Sequence, residues 1–138
     1  MNMTVSSPQT LERISDIKSV TILLIDDSPD NLMILGDILK QMGYQVVCAE
    51  DSEKGLEHAL SVQPDLIFMD VKMPGLDGFQ ACERLRVQEN FQLTPIILMS
   101  AQSEITHRDR AFAAGGSEFW PKPITPTKIR TELPRFLK

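Results

Sequence analysis

The sequence predicts an α/β fold built on a doubly wound, five-stranded parallel sheet, and three observations carry that reading. Short runs rich in Ile, Val and Leu recur near residues 20–25, 45–49, 66–69, 95–99 and 118–120. They are continuously apolar rather than alternating, which marks strands covered on both faces. The stretches between them are long enough for helices, and strand alternating with helix implies parallel pairing through right-handed crossovers.

Each intervening stretch carries helix signals. Ser28-Pro29 is an N-cap followed by proline at the first helical position. Leu32, Leu35, Leu39 and Met42 continue an apolar stripe that Gly43 ends. Ser52 is placed to cap a second helix, with Leu56, Ala59 and Leu60 facing inward, and Asp77 a third that carries Phe79, Cys82 and Leu85. Ser103 is placed to cap a fourth, with Ile105, Ala111 and Phe112, which stops at Gly115-Gly116. Thr125-Pro126 opens a fifth with Ile129, Leu133 and Phe136 as its apolar positions. Pro134 lacks an N–H and collides with the carbonyl of Arg130, so that last turn should kink or end early. Residues 1–18 are polar apart from a weak stripe of Leu11, Ile14 and Ile17, and read as an extension or linker ahead of one domain over 19–138.

Bulk properties narrow the function classes. A chain of 138 residues suffices for one domain with a real core. The net charge of −5 argues against nucleic acid as a partner. No apolar run is long enough for a membrane helix, and Met1–Val5 lacks the basic and apolar regions of a signal peptide, so a cytoplasmic location is expected. Cys48 and Cys82 make no disulfide framework and read as two reduced thiols. His58 and His107, and the charged groups of Arg84, Arg86, Arg108 and Arg110, fall in helical stretches and read as solvent-exposed.

Five polar residues sit where the strands should emerge. Asp26 and Asp27 end the first apolar run, Asp70 the third and Ser100 the fourth, and Lys122 follows the fifth. In a sheet of order 2-1-3-4-5, the flavodoxin-like arrangement, ligands bind outside the carboxyl ends at the switch point between strands 1 and 3. Singly these residues say little. Asp-Asp before Ser-Pro is also a helix cap, Asp70 before Met73-Pro74-Gly75 a turn residue, and Lys122-Pro123 a loop. Jointly they point to one site.

Three carboxylates in one cleft repel, at about 4 kcal/mol for a pair about 4 Å apart at an effective dielectric near 20. A proton or a cation relieves that repulsion, and oxygen-only ligands favour Mg²⁺. A carboxylate can itself attack phosphorus to give an acyl phosphate. Asp70 is the candidate, with Lys122 offsetting charge and Ser100 donating to a phosphoryl oxygen.

Residues 20–137 resemble the receiver domain of two-component response regulators. The resemblance is carried by Ile22-Leu23-Leu24-Ile25-Asp26-Asp27, by Pro64 through Gly78 with Met69-Asp70 and Met73-Pro74-Gly75, by Pro95 through Ser100-Ala101, and by Phe119-Trp120-Pro121-Lys122-Pro123. It implies that Asp70 accepts a phosphoryl group from a histidine kinase or a histidine phosphotransfer protein. It implies Mg²⁺ held by Asp27 directly, by Asp26 mainly through water, by Asp70, and by the backbone carbonyl of Lys72. Ser100 becomes the switch hydroxyl, Phe119 the aromatic whose rotamer reports its movement, Lys122 the phosphoryl partner, and Lys122-Pro123 a cis peptide. It further implies a downstream protein target and a possible homodimer through the face of the fourth helix, fifth strand and fifth helix. Beyond its own phosphotransfer and slow autodephosphorylation, no enzymatic activity is implied.

Departures from the family pattern are local. Gly116 replaces a frequent alanine and is expected to loosen its loop with Gly115, Trp120 takes a position more often aliphatic and is expected in the core, and Pro121 stiffens the approach to Lys122. Lys72 and Gln102, two residues after Asp70 and Ser100, are placed to affect water access to an acyl phosphate. Nothing follows the fifth helix, so docking rather than an attached output domain is the expected mode of action, unless the chain is a receiver from a larger kinase. Two alternatives are a Mg²⁺-dependent phosphohydrolase, which the missing cap segment disfavours, and a flavin or nucleotide binder, which the acidic Asp26-Asp27-Ser28-Pro29 disfavours.

Overall fold

Five strands, β1 (Thr21–Ile25), β2 (Gln45–Ala49), β3 (Leu66–Asp70), β4 (Ile96–Ala101) and β5 (Glu118–Lys122), pair in parallel in the order β2-β1-β3-β4-β5. Between and after them lie α1 (Pro29–Gln41), α2 (Ser52–Val62), α3 (Gly78–Arg86), α4 (His107–Ala113) and α5 (Pro126–Glu132). This is the topology that the strand–helix alternation predicts. The computed structural model describes residues 20–101 and 106–137. The N-terminal extension and the expected helix positions Ser103 and Ile105 lie outside them, as does Gln102.

The sheet separates two apolar layers, because successive side chains of a strand point to opposite faces. Ile22 and Leu24 of β1, Leu66 and Phe68 of β3, Ile97 and Met99 of β4, and Trp120 of β5 pack with Leu32, Leu35 and Leu39 of α1 and Ile129 of α5. On the other face Leu23, Ile25, Ile67, Met69, Ile96, Leu98 and Phe119 meet Ala59 of α2, Phe79, Cys82 and Leu85 of α3, and Ala111 of α4. Burying each large apolar side chain contributes roughly 1.5–3 kcal/mol, so continuous apolar strands are the condition for this two-sided cover. Trp120 sits in the core as expected, 1% exposed and tilted against Phe68 with ring centroids 5.6 Å apart.

Caps fix where most helices begin. The Ser28 hydroxyl accepts from the Asn31 amide, and Pro29 stands in the first turn of α1. Asp77 and Gln80 form a reciprocal capping box at α3, and Thr125 accepts from the Lys128 amide at α5. The second helix departs from expectation. Its cap is Asp51, which accepts from the Lys54 amide at 2.8 Å. Ser52 is instead the first helical residue, buried, and its hydroxyl donates to the Leu76 carbonyl at 2.6 Å. Leu60 also differs from the inward-facing position expected of it, at 50% exposed, and Phe112, an apolar position of α4, is 44% exposed. Ala59 and Ala111 already bring α2 and α4 close to the sheet, so the apolar stripe is narrower than the residue spacing suggests. As Pro134 requires, α5 ends at Glu132 and continues as a 3₁₀ turn over Leu133–Phe136.

The Gly115-Gly116 turn is tight rather than loose. Gly115 has φ +101°, and a Cβ there would stand 2.7 Å from Cγ of Arg86. Arg86 is the reason, and its half-buried guanidinium corrects the expectation of a solvated side chain. Its Nε donates to the Gly115 carbonyl at 2.8 Å, Nη1 to the carbonyls of Phe91 and Thr94, and Nη2 to the Ser117 hydroxyl at 3.2 Å. One side chain thereby ties the end of α3 to the lead-in of β4 and to the turn before β5.

Gly78 fixes the start of α3 against the strand that carries Asp70. Its amide donates to the Val71 carbonyl at 2.8 Å. A Cβ at this position would lie 2.3 Å from the Asp70 carbonyl oxygen and 2.8 Å from Cα of Val71. Both obstacles are backbone, so relief requires α3 or the end of β3 to move. We expect Gly78→Ala to lower unfolding stability by about 1–3 kcal/mol, the range for overpacking. An unchanged denaturation midpoint would show that this close approach is not a constraint.

Candidate functional site

Strand register brings the polar residues to one edge. Ile25 pairs with Met69, so Asp26 stands level with Asp70 in the next residue along. Asp70 pairs with Met99, so Ser100 lies one step further out on β4, and Lys122, which pairs with Ala101, lies one step beyond that on β5. Alternation then sorts them by face. Asp70 and Lys122 follow Phe68 and Trp120 toward α1 and α5, whereas Ser100 follows Leu98 toward α3 and α4 with Phe119.

Asp26, Asp27 and Asp70 converge, each offering an oxygen within 4.8 Å of the others. Asp26 and Asp70 are buried, at 2% and 5% exposed, while Asp27 is open to solvent. The Lys122 ammonium lies 3.1 Å from Oδ2 of Asp26 and 3.0 Å from Oδ1 of Asp70. Asp26 is the more fully bound carboxylate. Its Oδ1 accepts from the Ser28 amide at 2.9 Å, and its Oδ2 from Asn31 Nδ2 at 3.4 Å as well as from Lys122. The peptide bond after this lysine, Lys122-Pro123, is cis.

Charge at the site is only partly offset. Burial pushes the Asp70 carboxyl up from 3.8 to about 6; the Lys122 hydrogen bond opposes this, and the charges of Asp26 and Asp27 add to it. For Lys122 burial acts downward, but the bonds and charges of Asp70 and Asp26 outweigh it and hold the ammonium above its ordinary value. Three carboxylates face one ammonium group, so the cluster carries more negative charge than this lysine neutralises. An all-oxygen donor set of that kind fits a hard divalent cation such as Mg²⁺.

A cleft of about 490 Å³ opens over the α3–α4 side of the cluster, lined by Asp27, Lys72, Phe79, His107 and Arg110 among others. His107 was not legible as part of this region. It is half-buried, its ring stands edge-on to Phe79 with centroids 5.4 Å apart, and its Nδ1 lies 3.4 Å from Ser100 Oγ. The guanidinium of Arg110 lies 4.7 Å from the Phe79 ring centroid, and that of Arg108 lies 5.7 Å from that of Phe119. Those two arginines are exposed as expected, yet they cover aromatic faces. Phe119 is 1% exposed, so any rotamer change there starts from a buried ring. His58, also expected in solvent, is partly buried on α2. Cys48 and Cys82 are both free thiols, and burial pushes Cys82 up to about 11.

Fold and site together define a class, a doubly wound domain with an acidic, lysine-paired cluster at its switch point. Within that class the chain belongs to the response regulator receiver domain family, which it matches over residues 22–134. It is 31% identical over 118 residues to the signal transduction histidine-protein kinase BarA of Escherichia coli K12, covering 86% of this chain and 13% of BarA. It is 33% identical over 103 residues to protein PilH of Pseudomonas aeruginosa, covering 75% of this chain and 85% of PilH. Among solved structures, it superposes with a TM-score of 0.79 and 30% identity on the receiver domain of sensor histidine kinase PA1611 from Pseudomonas aeruginosa PAO1, covering 86% of this chain and 98% of that one. That structure has a magnesium ion coordinated in its active-site cleft. The family comprises phosphorylatable switches of two-component systems, present in response regulators and hybrid histidine kinases, and its members bind Mg²⁺ and interact with histidine kinases or phosphotransfer proteins. No helix among the described residues is long and apolar enough to cross a membrane.

The raised Asp70 carboxyl has a stability consequence of definite sign. Its folded value of about 6 exceeds the 3.8 of the unfolded chain, so the native state holds the proton more tightly. The associated stability is fully present below about pH 4 and is lost as pH rises through about 6. In metal-free buffer, Asp70→Asn should therefore stabilise the fold at about pH 7, by on the order of 1–3 kcal/mol, and make little difference near pH 4. Urea unfolding at both pH values measures this; a destabilised Asp70→Asn chain at neutral pH would contradict it.

Proposed function

We propose that Asp70 is the phosphoryl acceptor of this receiver domain. The observation that carries the assignment is the meeting of Asp26, Asp27 and Asp70 with an ammonium group 3.0 Å from the Asp70 carboxylate. An Asp70 oxygen forms a bond to phosphorus while the P–N bond of a phosphohistidine donor breaks, and the departing imidazole nitrogen takes up a proton. Asp26, Asp27, Asp70 and the backbone carbonyl of Lys72 hold Mg²⁺ in this reading, with Asp27 the most accessible carboxylate and Asp26 committed to Ser28, Asn31 and Lys122. The bound Mg²⁺ supplies positive charge that neutralises phosphoryl oxygens. Lys122, already between Asp26 and Asp70, pairs with the arriving phosphoryl group and so exchanges one anionic partner for another.

The phosphoryl group adds about −1.5 to −2 charge and three acceptor oxygens. Ser100 donates to one of those oxygens. Its movement and that of Phe119 alter the surface of α4, β5 and α5, where Phe112 is 44% exposed. The readout is a population shift between two packings that a protein target or a second copy of the chain distinguishes. In this reading the chain catalyses its own phosphotransfer and slow dephosphorylation, in the cytoplasm, and binds neither nucleic acid nor membrane.

Incubation with phosphoramidate and Mg²⁺ followed by intact-mass measurement tests the acceptor. We expect a single labile addition of one phosphoryl group that is absent in Asp70→Ala; persistence in that variant would reassign the acceptor. Steady release of phosphate from a small phosphate ester, with no lasting adduct, would instead indicate a phosphohydrolase. For the metal, calorimetric titration of Asp27→Ala should show Mg²⁺ affinity reduced by roughly tenfold or more, since a hard cation loses one of few carboxylate ligands. Undiminished affinity would remove Asp27 from the ligand set.

A further inference from the structure

Ser100 is 2% exposed, so its hydroxyl needs a hydrogen-bond partner inside the protein. Among the described residues, its partner is Nδ1 of His107, at 3.4 Å. A serine hydroxyl has one proton to donate. If that proton is satisfied by Nδ1, the ring's own proton sits on Nε2. The ring is not loosely placed: it stands edge-on to Phe79 at 89°, at the head of α4, and lines the cleft beside Asp27.

We propose that His107 is a positioning residue that holds the Ser100 hydroxyl proton in the unphosphorylated chain. The inference rests on the reading of Asp70 as acceptor and Ser100 as the donor to its phosphoryl group. A phosphoryl oxygen and His107 Nδ1 compete for the same proton. At 3.4 Å the existing bond is longer than the 2.7–3.2 Å usual for nitrogen–oxygen pairs, so the anionic oxygen is the stronger acceptor and wins. Capture of the hydroxyl by the phosphoryl group therefore releases His107. Because His107 opens α4, the exchange of one proton acceptor for another connects chemistry at Asp70 with the helix that borders the readout surface. Ser100 and Phe119 share the α3–α4 face of the sheet with this ring, so the connection does not have to cross the sheet.

Nitrogen NMR of the full chain labelled with ¹⁵N-histidine tests this directly, with His58 and His107 distinguished by substitution. We expect His107 to carry its proton on Nε2, with an Nδ1 resonance that moves in Ser100→Ala. Phosphorylation of the wild-type chain with phosphoramidate and Mg²⁺ should move that resonance in the same direction. A proton on Nδ1, or an Nδ1 resonance indifferent to Ser100→Ala, overturns the proposal; neither signature is affected by a merely structural role for the ring. His107→Phe preserves a ring against Phe79 and removes the acceptor. It should raise the phosphorylation rate by about 2–10-fold, the worth of one ordinary hydrogen bond. A wild-type chain that takes no phosphoryl group overturns the assignment of Asp70 and this inference with it. A phosphorylated wild-type chain whose rate His107→Phe matches or falls below overturns the inference alone.

Discussion

Lys122 reaches Asp26 and Asp70 at 3.1 and 3.0 Å, and the architecture around the switch point turns on that ammonium group. Parallel register forces the carboxyl ends of β1 and β3 side by side. Any acidic residues placed there must share a small, partly dry space, where a like-charge pair at about 4 Å costs about 4 kcal/mol. The compensating lysine lies on neither β1 nor β3. It arrives from β5, the far edge strand, across β4, where its register partner is the small Ala101. The compensation is incomplete, because three carboxylates share one ammonium group, and such a site keeps its capacity to attract a further cation.

The division of labour across the sheet follows from strand alternation alone. Phe68 and Trp120 point toward α1 and α5, so Asp70 and Lys122, two residues on, do the same. Leu98 points toward α3 and α4, and so does Ser100. The charged partners thus lie on one side of the sheet plane, and the hydroxyl, Phe119 and the His107 ring on the other. A group bonded to Asp70 and reached by Ser100 would lie at the carboxyl edge of the sheet, between its two faces.

Much of this was legible from residue order. Continuous apolar runs locate all five strands, but only β1, β3 and β4 are buried on both faces; the edge strand β2 buries Ala49 alone and leaves Gln45 and Cys48 exposed, contrary to the two-sided cover its apolar run suggests. Asp26, Asp27, Asp70 and Lys122 converge because topology, not local sequence, brings strand ends together, and the topology itself follows from the alternation of elements. Helix details were less accessible. Asp51 and Ser52 are both good caps, and only tertiary contact with Leu76 decides that the serine goes inside. Leu60 and Phe112 sit at the borders of their apolar stripes, where small neighbours set how far the helix stands from the sheet. His107 and Arg86 carry no sequence signal at all. Each is a polar residue on a polar helix face, and each gains its role from atoms far along the chain or across a turn.

Arg86 sits at the opposite end of the sheet from the acidic cluster, and its reach has a mechanical meaning. By gripping the Gly115 carbonyl, the Ser117 hydroxyl and the backbone ahead of β4, it rivets the rear of α4 and the root of β5 to α3. The C-terminal end of α4 is thereby anchored through a single guanidinium, whereas its first residue, His107, is held by ring contact with Phe79 and by Ser100.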